Sequence, residues 1–275
     1  MPKALINGKE CHYQDVGEGF PILFGHSFLW SSEMWKPQLD TLSKEFRCIA
    51  PDLWNHGESG EVGAAVTMES IADDMYALMQ SLGISEFAVV GLSVGGMWGA
   101  ELALMHPEAV KALVIMDSYL GREPEVTQNK YFCMLDVVEA QKGFPPPLLE
   151  QIVPLFFSPY TLEHNQDLVQ SFWKALAATP KKNAASIARI GRAIFTRKNR
   201  LEQLKELAMP VAVMVGKDDI PRPPEETQEM AHLSGGELHV IENAGHIANL
   251  EQPQEVTSLL RAFLERSIVS KGVGA

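Results

Sequence analysis

One serine stands where an apolar, strand-like run gives way to a helix-like run. In the segment EFAVVGLSVGGMWGAEL, Ser93 lies between Gly91 and Gly95. A residue at a sharp strand-to-helix turn takes a strained backbone conformation that lifts its side chain clear of the sheet. The residues two positions before and after it must be small, because strand and helix approach each other closely there. We therefore expect Ser93 to be a nucleophile.

A serine hydroxyl becomes an effective nucleophile when a base takes its proton and an acid orients that base. Among the eight histidines, only His246, in ENAGHIANLEQP, follows a late strand-like run in a loop of small residues. It is therefore the candidate base. The acid is expected at the end of an earlier strand, and VAVMVGKDDIP offers Asp218 and Asp219 there. On this reasoning either can be the acid, and the other is a turn residue.

The elements that position these residues alternate between strand-like and helix-like patterns. The expected strands are CHYQDV, PILFG, FRCIAPD, FAVVG, KALVIMD, PVAVMVG and ELHVIEN. The expected helices are 32–44, 68–82, one from just after Ser93 to about His106, one around 225–233, and 253–267. No clear strand is expected between Leu120 and about Arg200, where aromatic residues accumulate. The order predicts an α/β fold with a mostly parallel sheet, interrupted by one helical insertion.

Composition limits the partners and the compartment. The 275 residues are 46% hydrophobic and 21% charged, with a formal net charge of −12, which argues against nucleic acid or an anionic membrane as a partner. The three cysteines, Cys11, Cys48 and Cys133, have no disulfide or metal spacing. The beginning of the sequence has no apolar signal core, and no segment approaches the length of a membrane span. We expect a cytoplasmic protein.

The order Ser93…Asp219…His246 resembles that of the α/β-hydrolase family, in particular its small esterases, lactonases and perhydrolases, over nearly the whole chain. In that family the acid usually stands three residues after the glycine that closes its strand. Counting from Gly216 gives Asp219, and the NAGH stretch matches the family's histidine loop. The resemblance thus implies a triad of Ser93, His246 and Asp219.

The resemblance also implies an oxyanion hole. The family's H-G-x turn appears here in GHSF, residues 25–28, with serine where the family has glycine. By that alignment the backbone N–H groups of Phe28 and Val94 form the oxyanion hole. Trp30, Met97 and Trp98 flank the two segments and are candidates to line the substrate pocket, with core packing as the alternative for Met97 and Trp98.

A second turn resembles the family's D-x-x-G-x-G-x-S pattern. In PDLWNHGES, Asn55 stands where glycine is usual, and asparagine tolerates a positive φ, so the turn is expected to form. Asp52 and His56 are expected to be structural, as is His26 of the neighbouring loop. Trp54 is expected either to line the pocket or to be an exposed loop aromatic.

The insertion is expected to form a helical cap, residues 120–200, over a core made of residues 1–119 and 201–275. Its aromatic residues would roof an apolar pocket, and many would pack its own helices. Its basic residues follow an amphipathic pattern and are expected to form a solvated face; docking of an acidic carrier protein there is the alternative. They are Lys181, Lys182, Arg189, Arg192, Arg197, Lys198 and Arg200.

The activity that the resemblance implies is hydrolysis of small to medium uncharged carboxylic esters through an acyl-enzyme. Lactonases, perhydrolases and C–C bond hydrolases use the same triad and stay open as alternatives, as does a ligand receptor that retains a hydrolase triad. Serine in place of aspartate at Ser93 disfavours haloalkane dehalogenase and epoxide hydrolase chemistry. No phosphate loop, metal-ligand cluster or dinucleotide fingerprint occurs, so no cofactor or metal is expected. The sequence makes no prediction of oligomeric state.

Overall fold

A sheet of eight strands forms the centre of the molecule, which we describe from a computed structural model covering residues 2–61, 63 and 65–269. The strands are β1 (Lys3–Ile6), β2 (Lys9–Val16), β3 (Phe20–Gly25), β4 (Phe46–Pro51), β5 (Phe87–Leu92), β6 (Val110–Met116), β7 (Val211–Gly216) and β8 (Glu237–Ile241). They lie in the order β1-β2-β4-β3-β5-β6-β7-β8. The pairs β1–β2 and β2–β4 are antiparallel and the other neighbours are parallel. The expected mostly parallel sheet is therefore confirmed.

Helices cover both faces of this sheet. They are α1 (Lys36–Leu42), α2 (Met68–Ser81), α3 (Val94–Met105), α4 (Glu125–Gln141), α5 (Pro146–Ile152), α6 (Pro159–His164), α7 (Gln166–Ala177), α8 (Ala184–Phe195), α9 (Pro224–Ser234), α10 (Ala248–Glu251) and α11 (Pro253–Val269). Alternate strand residues enter opposite layers of the core: Ile22 and Phe24 pack on the side of α1 and α11, and Leu23 packs on the side of α2, α3 and α9. This alternation is the period of a strand that is buried on both faces.

The helix α2 illustrates how the sequence positions these layers. Its apolar stripe of Ile71, Met75, Leu78 and Met79 is almost fully buried, as the helical spacing predicts. Its first turn is closed by a capping box, in which the Thr67 side chain accepts the Ser70 N–H and the Ser70 hydroxyl oxygen accepts the Thr67 N–H.

The sequence-based boundaries differ from the structure at two places. The strand β1 was not expected, because it is a short edge strand in which Leu5 is exposed and only Ile6 is buried, so it carries little apolar signal. The single helix expected over residues 32–44 is divided into a 3₁₀ turn, Ser32–Trp35, followed by α1. Pro37 lies in the first turn of α1, where its missing N–H has no intrahelical acceptor to lose.

The helices α4 to α8 come between β6 and β7, and every residue of that stretch is described, none of them in a strand. Because this insertion contacts His246, in the loop after β8, through the Phe156 ring, we propose the division into a cap, residues 120–200, and a core, residues 1–119 and 201–275. Residues 1, 62, 64 and 270–275 of that core lie outside the described residues. None of the helices in the described part of the chain has the length and apolar character needed to cross a membrane.

Candidate active site

Ser93 lies at the sharp turn between β5 and α3, with φ 56° and ψ −119°. A Cβ atom added to Gly91 would lie 2.2 Å from the Gly95 carbonyl oxygen, and one added to Gly95 would lie 2.1 Å from the Gly25 oxygen. The glycines are therefore required by the close approach of the strand, the helix and the neighbouring strand. The Ser118 hydroxyl donates to the Ser93 carbonyl oxygen at 2.7 Å and holds the strained turn.

A chain of hydrogen bonds leads from Ser93 to His246 and Asp219. The Ser93 Oγ lies 2.9 Å from His246 Nε2, and His246 Nδ1 lies 2.9 and 3.1 Å from the two Asp219 carboxylate oxygens. A neutral imidazole protonated on Nδ1 satisfies both contacts, because it donates to the carboxylate and accepts from the hydroxyl. Such an imidazole is oriented to take the proton of Ser93.

The backbone around the acid explains why Asp219 and not Asp218 meets the histidine. The Asp219 carboxylate is buried and also accepts the Arg222 N–H at 2.9 Å. Asp218 is half-buried, its N–H donates to the Ala244 carbonyl, and among the described residues it makes no hydrogen bond to His246. The structure therefore brings together Asp219, Ser93 and His246.

Another buried carboxyl group, Asp117, supports the strands beneath this triad. Asp117 follows β6, and its Oδ1 accepts the Gly216 N–H at 2.7 Å, just before the acid loop. Burial raises the pKa of Asp117 well above its ordinary value, and the nearby Asp219 raises it further. The sequence offered no signal for this residue beyond its position at the end of a strand.

The loop after β3 and the first turn of α3 contain the two backbone N–H groups expected to form the oxyanion hole. Within the described residues, neither the Phe28 N–H nor the Val94 N–H donates to a protein acceptor. Phe28 lines the same cavity as Ser93, and Val94 is the first residue of α3. Two free amides beside a nucleophile are the donors that an oxyanion would need.

Two neutral histidines hold this loop against the turn that follows β4. The His26 Nδ1–H donates to the Ser27 carbonyl, and its Nε2 accepts the Leu53 N–H at 2.8 Å. The His56 Nε2 accepts the Leu29 N–H at 3.1 Å. Burial lowers the pKa of His26 and lowers that of His56 to about 3, so both rings stay neutral acceptors.

The turn itself agrees with the sequence at Asn55 and differs at Trp54. Asn55 adopts φ 58°, the conformation that asparagine tolerates. Neither expectation for Trp54 is correct, because its ring is fully buried in the core and its Nε1–H donates to Asp74. The buried carboxylate accepts from the indole N–H, so the ring can be buried without leaving that donor unpaired.

A cavity of about 90 Å³ is lined by Ser93 and His246. Its wall consists mainly of apolar side chains from the insertion, among them Met134, Leu135, Val138, Phe144 and Phe156. The Phe156 ring packs edge-on against the His246 ring, with centroids 5.5 Å apart. The cavity can therefore hold a compact apolar group next to the serine.

The two tryptophans expected near the pocket lie elsewhere. Trp98 is buried in the core below β3, so close to Gly25 that a Cβ there would meet its ring at 2.5 Å. Its neighbour Met97 lines the cavity instead, because consecutive helix residues point about 100° apart. Trp30 stacks on Phe172 at 4.3 Å and lines a separate groove of about 450 Å³.

Sequence reasoning missed Arg222, which reaches the cavity wall from the acid loop. Its guanidinium is buried and shares the Glu123 carboxylate with Arg197, at 2.5 and 2.9 Å. Arg197 is therefore not on the solvated face that was expected for the basic residues of the insertion, because it is paired inside the protein. An apolar stripe in the sequence does not show whether a basic residue next to it is solvated or forms an ion pair inside the protein.

Within the described chain, no cluster of three or more His, Cys, Asp or Glu side chains could hold a metal ion. The site consists of a serine, an imidazole, a carboxylate and two backbone amides that have no acceptor among the described residues. Together these groups can activate a hydroxyl nucleophile and stabilise an oxyanion.

Comparison with known proteins identifies the family and the fold. The family model described as alpha/beta hydrolase fold matches residues 21–253. By sequence, the chain is 24% identical to an (E)-2-((N-methylformamido)methylene)succinate hydrolase of Acinetobacter baylyi, over 95% of this chain and 96% of the relative.

Two solved structures are similar over nearly their whole length. One is a thermophilic esterase from Thermogutta terrifontis, with a TM-score of 0.88, 27% identity and coverage of 97% of this chain and 98% of the other. The second is the enol-lactonase from Burkholderia xenovorans, with a TM-score of 0.86, 26% identity and coverage of 96% and 99%. The similar proteins thus share the fold and differ in the reactions for which they are named.

Proposed function

The chain belongs to the alpha/beta hydrolase fold family, and from that premise we propose that it is a serine hydrolase that cleaves small to medium uncharged carboxylic esters. The observation that carries the proposal is the hydrogen-bonded chain from Ser93 through His246 to Asp219 at the wall of an apolar cavity. Likeness to a thermophilic esterase supports the same class of reaction.

In the proposed first half-reaction, Ser93 Oγ attacks the ester carbonyl carbon while His246 Nε2 takes the hydroxyl proton. Asp219 stabilises the imidazolium that forms, through the hydrogen bond at Nδ1. The negative charge on the carbonyl oxygen is stabilised by the N–H groups of Phe28 and Val94. The imidazolium then gives its proton to the leaving alcohol, and the acyl group stays on the serine.

In the proposed second half-reaction, water replaces the alcohol. His246 takes a proton from the water, the resulting hydroxide attacks the acyl-enzyme carbonyl, and the proton returns to Ser93 as the carboxylic acid leaves. The mostly apolar wall of the cavity favours this sequence because it strengthens each electrostatic contact at the triad.

Lactone hydrolysis is the second candidate, and the likeness to an enol-lactonase favours it. A lactone is a cyclic ester, so the same groups would act, and the alcohol would remain attached to the acyl chain after ring opening. Perhydrolase activity needs the same triad with hydrogen peroxide in place of water. C–C bond hydrolase activity needs the same triad with a carbon leaving group in place of the alcohol.

The proposal is tested by assaying purified protein with p-nitrophenyl esters of graded acyl length, alkyl esters, lactones, and esters with hydrogen peroxide. Many turnovers per molecule are expected on short to medium esters. A single turnover would instead indicate a receptor that retains a hydrolase triad. Weak rates on every ester beside a fast lactone or peracid reaction would replace the proposed substrate class.

A further inference from the structure

Glu251 is a buried carboxylate at the end of α10, with 9% of its surface exposed. Its Oε1 accepts the Gly245 N–H at 2.6 Å, and its Oε2 accepts the Ser158 N–H at 2.8 Å and the Ser158 hydroxyl at 2.7 Å. Within the described residues no cationic side chain forms an ion pair with it. The negative charge is thus held by donors from two separate segments.

These two segments are the histidine loop and the cap. Gly245 directly precedes His246, whereas Ser158 lies in the insertion, at the N-cap of α6. Burial raises the pKa of Glu251, and the hydrogen-bonding groups of Thr161, Ser158 and Gly245 act in the opposite direction. A buried charge without a cationic partner is costly unless its hydrogen bonds are well formed, so this carboxylate requires both segments in place.

The cap backbone is pressed against the histidine loop at the same point. A Cβ added to Gly245 would lie 2.7 Å from the Ser158 nitrogen and 2.8 Å from the Phe157 carbonyl carbon. Two residues before Ser158, the Phe156 ring contacts the His246 ring and lines the cavity. The position of Ser158 therefore determines where the roof of the cavity lies above the histidine.

We propose that Glu251 is a positioning residue that fastens the cap roof to the histidine loop and so sets how long an acyl group the cavity accepts. This inference rests on the proposed ester hydrolysis for its substrate, while the fastening itself does not depend on it. The carboxylate acts through Ser158 and Gly245 and does not touch the reacting atoms.

Two variants separate the two sides of this contact. In Glu251→Gln, an amide NH₂ replaces one of the two carboxylate oxygens. Because this NH₂ cannot accept a hydrogen bond, the contact to either Ser158 or Gly245 must be lost. In Ser158→Ala, the hydroxyl donor on the cap side is lost together with the oxygen that accepts the Thr161 N–H at the start of α6, while the Ser158 N–H and the Gly245 contact to Glu251 remain. Glu255→Gln, at an exposed position in the first turn of α11, is the matched control.

Each variant is compared with wild type by hydrogen exchange of residues 153–164 and by kcat and KM along a p-nitrophenyl ester series. For Glu251→Gln we expect faster exchange in the cap segment and a kcat about tenfold lower on the best short ester. The optimum acyl length should move up by about two methylene groups. Ser158→Ala should give the same shift in optimum with a smaller loss of kcat, and Glu255→Gln should match wild type.

Exchange as slow as in wild type for a folded Glu251→Gln variant would overturn the proposal, whatever the activity. Faster exchange with an equal loss of rate on every ester would also overturn it, because Glu251 would then support the fold without setting acyl length. If Glu251→Gln exchanges faster but the wild-type protein cleaves no ester, the fastening role is upheld and the proposed function is rejected.

Discussion

Asp219 and Asp218 are neighbours in the chain but differ in what they contact. Only Asp219 accepts from His246 Nδ1, while Asp218 is half-buried beside it. Asp219→Asn is expected to lower kcat on the order of 10⁴-fold, because an amide can donate to Nδ1 and favour the wrong imidazole tautomer. Asp218→Asn, the matched control, should stay close to wild type. A larger loss for Asp218→Asn in the ester assay would contradict this assignment of the acid.

At the residue scale, the sequence predicts the role of a side chain where that role depends on the local backbone structure. Ser93 and His246 could be found because each follows a strand, and parallel strands bring such ends to one edge. Asp219 was separated from its neighbour Asp218 only by the spacing of the family that the sequence resembles. The direction of Trp98 and the burial of Arg222 could not be predicted, because both depend on which neighbours pack around them in three dimensions.

Among the elements, the loop after β3 depends on His56 remaining neutral. Because the folded protein lowers the pKa of His56 from 6.5 to about 3, its contribution to stability is complete above pH 6.5 and is lost as the pH falls towards 3. By pH 5 the loss amounts to about 2 kcal/mol in the free energy of unfolding. His56→Gln has no such titration and should lose less stability between pH 7.5 and pH 5.

This difference is measured by urea unfolding at several pH values. His232→Gln is the control, because His232 is exposed on α9. His26, whose pKa is also lowered, is present in every variant, but its ring lies 5.5 Å from the His56 ring and lowers the pKa of His56, so the comparison reports the two rings together. An equal pH dependence for wild type and His56→Gln would contradict a neutral, buried His56.

The turn that carries Ser93 makes a separate prediction about stability. Gly95→Ala would place a methyl group 2.1 Å from the Gly25 carbonyl oxygen, so β3 and α3 would have to separate. We expect a loss of about 3 kcal/mol in the free energy of unfolding. Gly63→Ala, where a Cβ meets nothing within 4 Å, is the control. A Gly95→Ala variant as stable as this control in thermal unfolding would contradict the close approach.

The sequence predicts elements well where their apolar pattern is regular. The stripe of α2 and the buried run of β5 give clear periods, whereas β1 is short and mostly exposed and has none. The broken helix at residues 32–42 has a helical pattern throughout, so its change from a 3₁₀ turn to α1 is set by local backbone geometry that the pattern does not contain.

For the whole molecule, the alternation of strands and helices predicts the layers of the fold, but the shape of the cavity depends on how the insertion packs. That cavity is small and mostly apolar. Each methylene that fits should raise kcat/KM through about 0.8 kcal/mol of transfer free energy, until the pocket is full. A p-nitrophenyl ester series should therefore pass through a maximum. A steady rise to long chains would indicate an open groove.

The same cavity should disfavour a charged acyl end. Arg222 reaches its wall, but the guanidinium is already paired with Glu123 and Glu226. A p-nitrophenyl half-ester of a dicarboxylic acid should therefore have a lower kcat/KM than the neutral monoacid ester of equal length, because its carboxylate loses water without gaining a free cation. A faster half-ester would identify Arg222 as an anion-binding group.

The hydrolytic role of Ser93 is tested most directly by the rate of ester hydrolysis in Ser93→Ala. Alanine is smaller than serine and leaves the turn intact, so circular dichroism and thermal unfolding should match wild type. Loss of the nucleophile should lower kcat on the order of 10⁴-fold or more on the best p-nitrophenyl ester. A folded Ser93→Ala protein that retained even about a tenth of the wild-type turnover would contradict the assignment of Ser93 as the nucleophile.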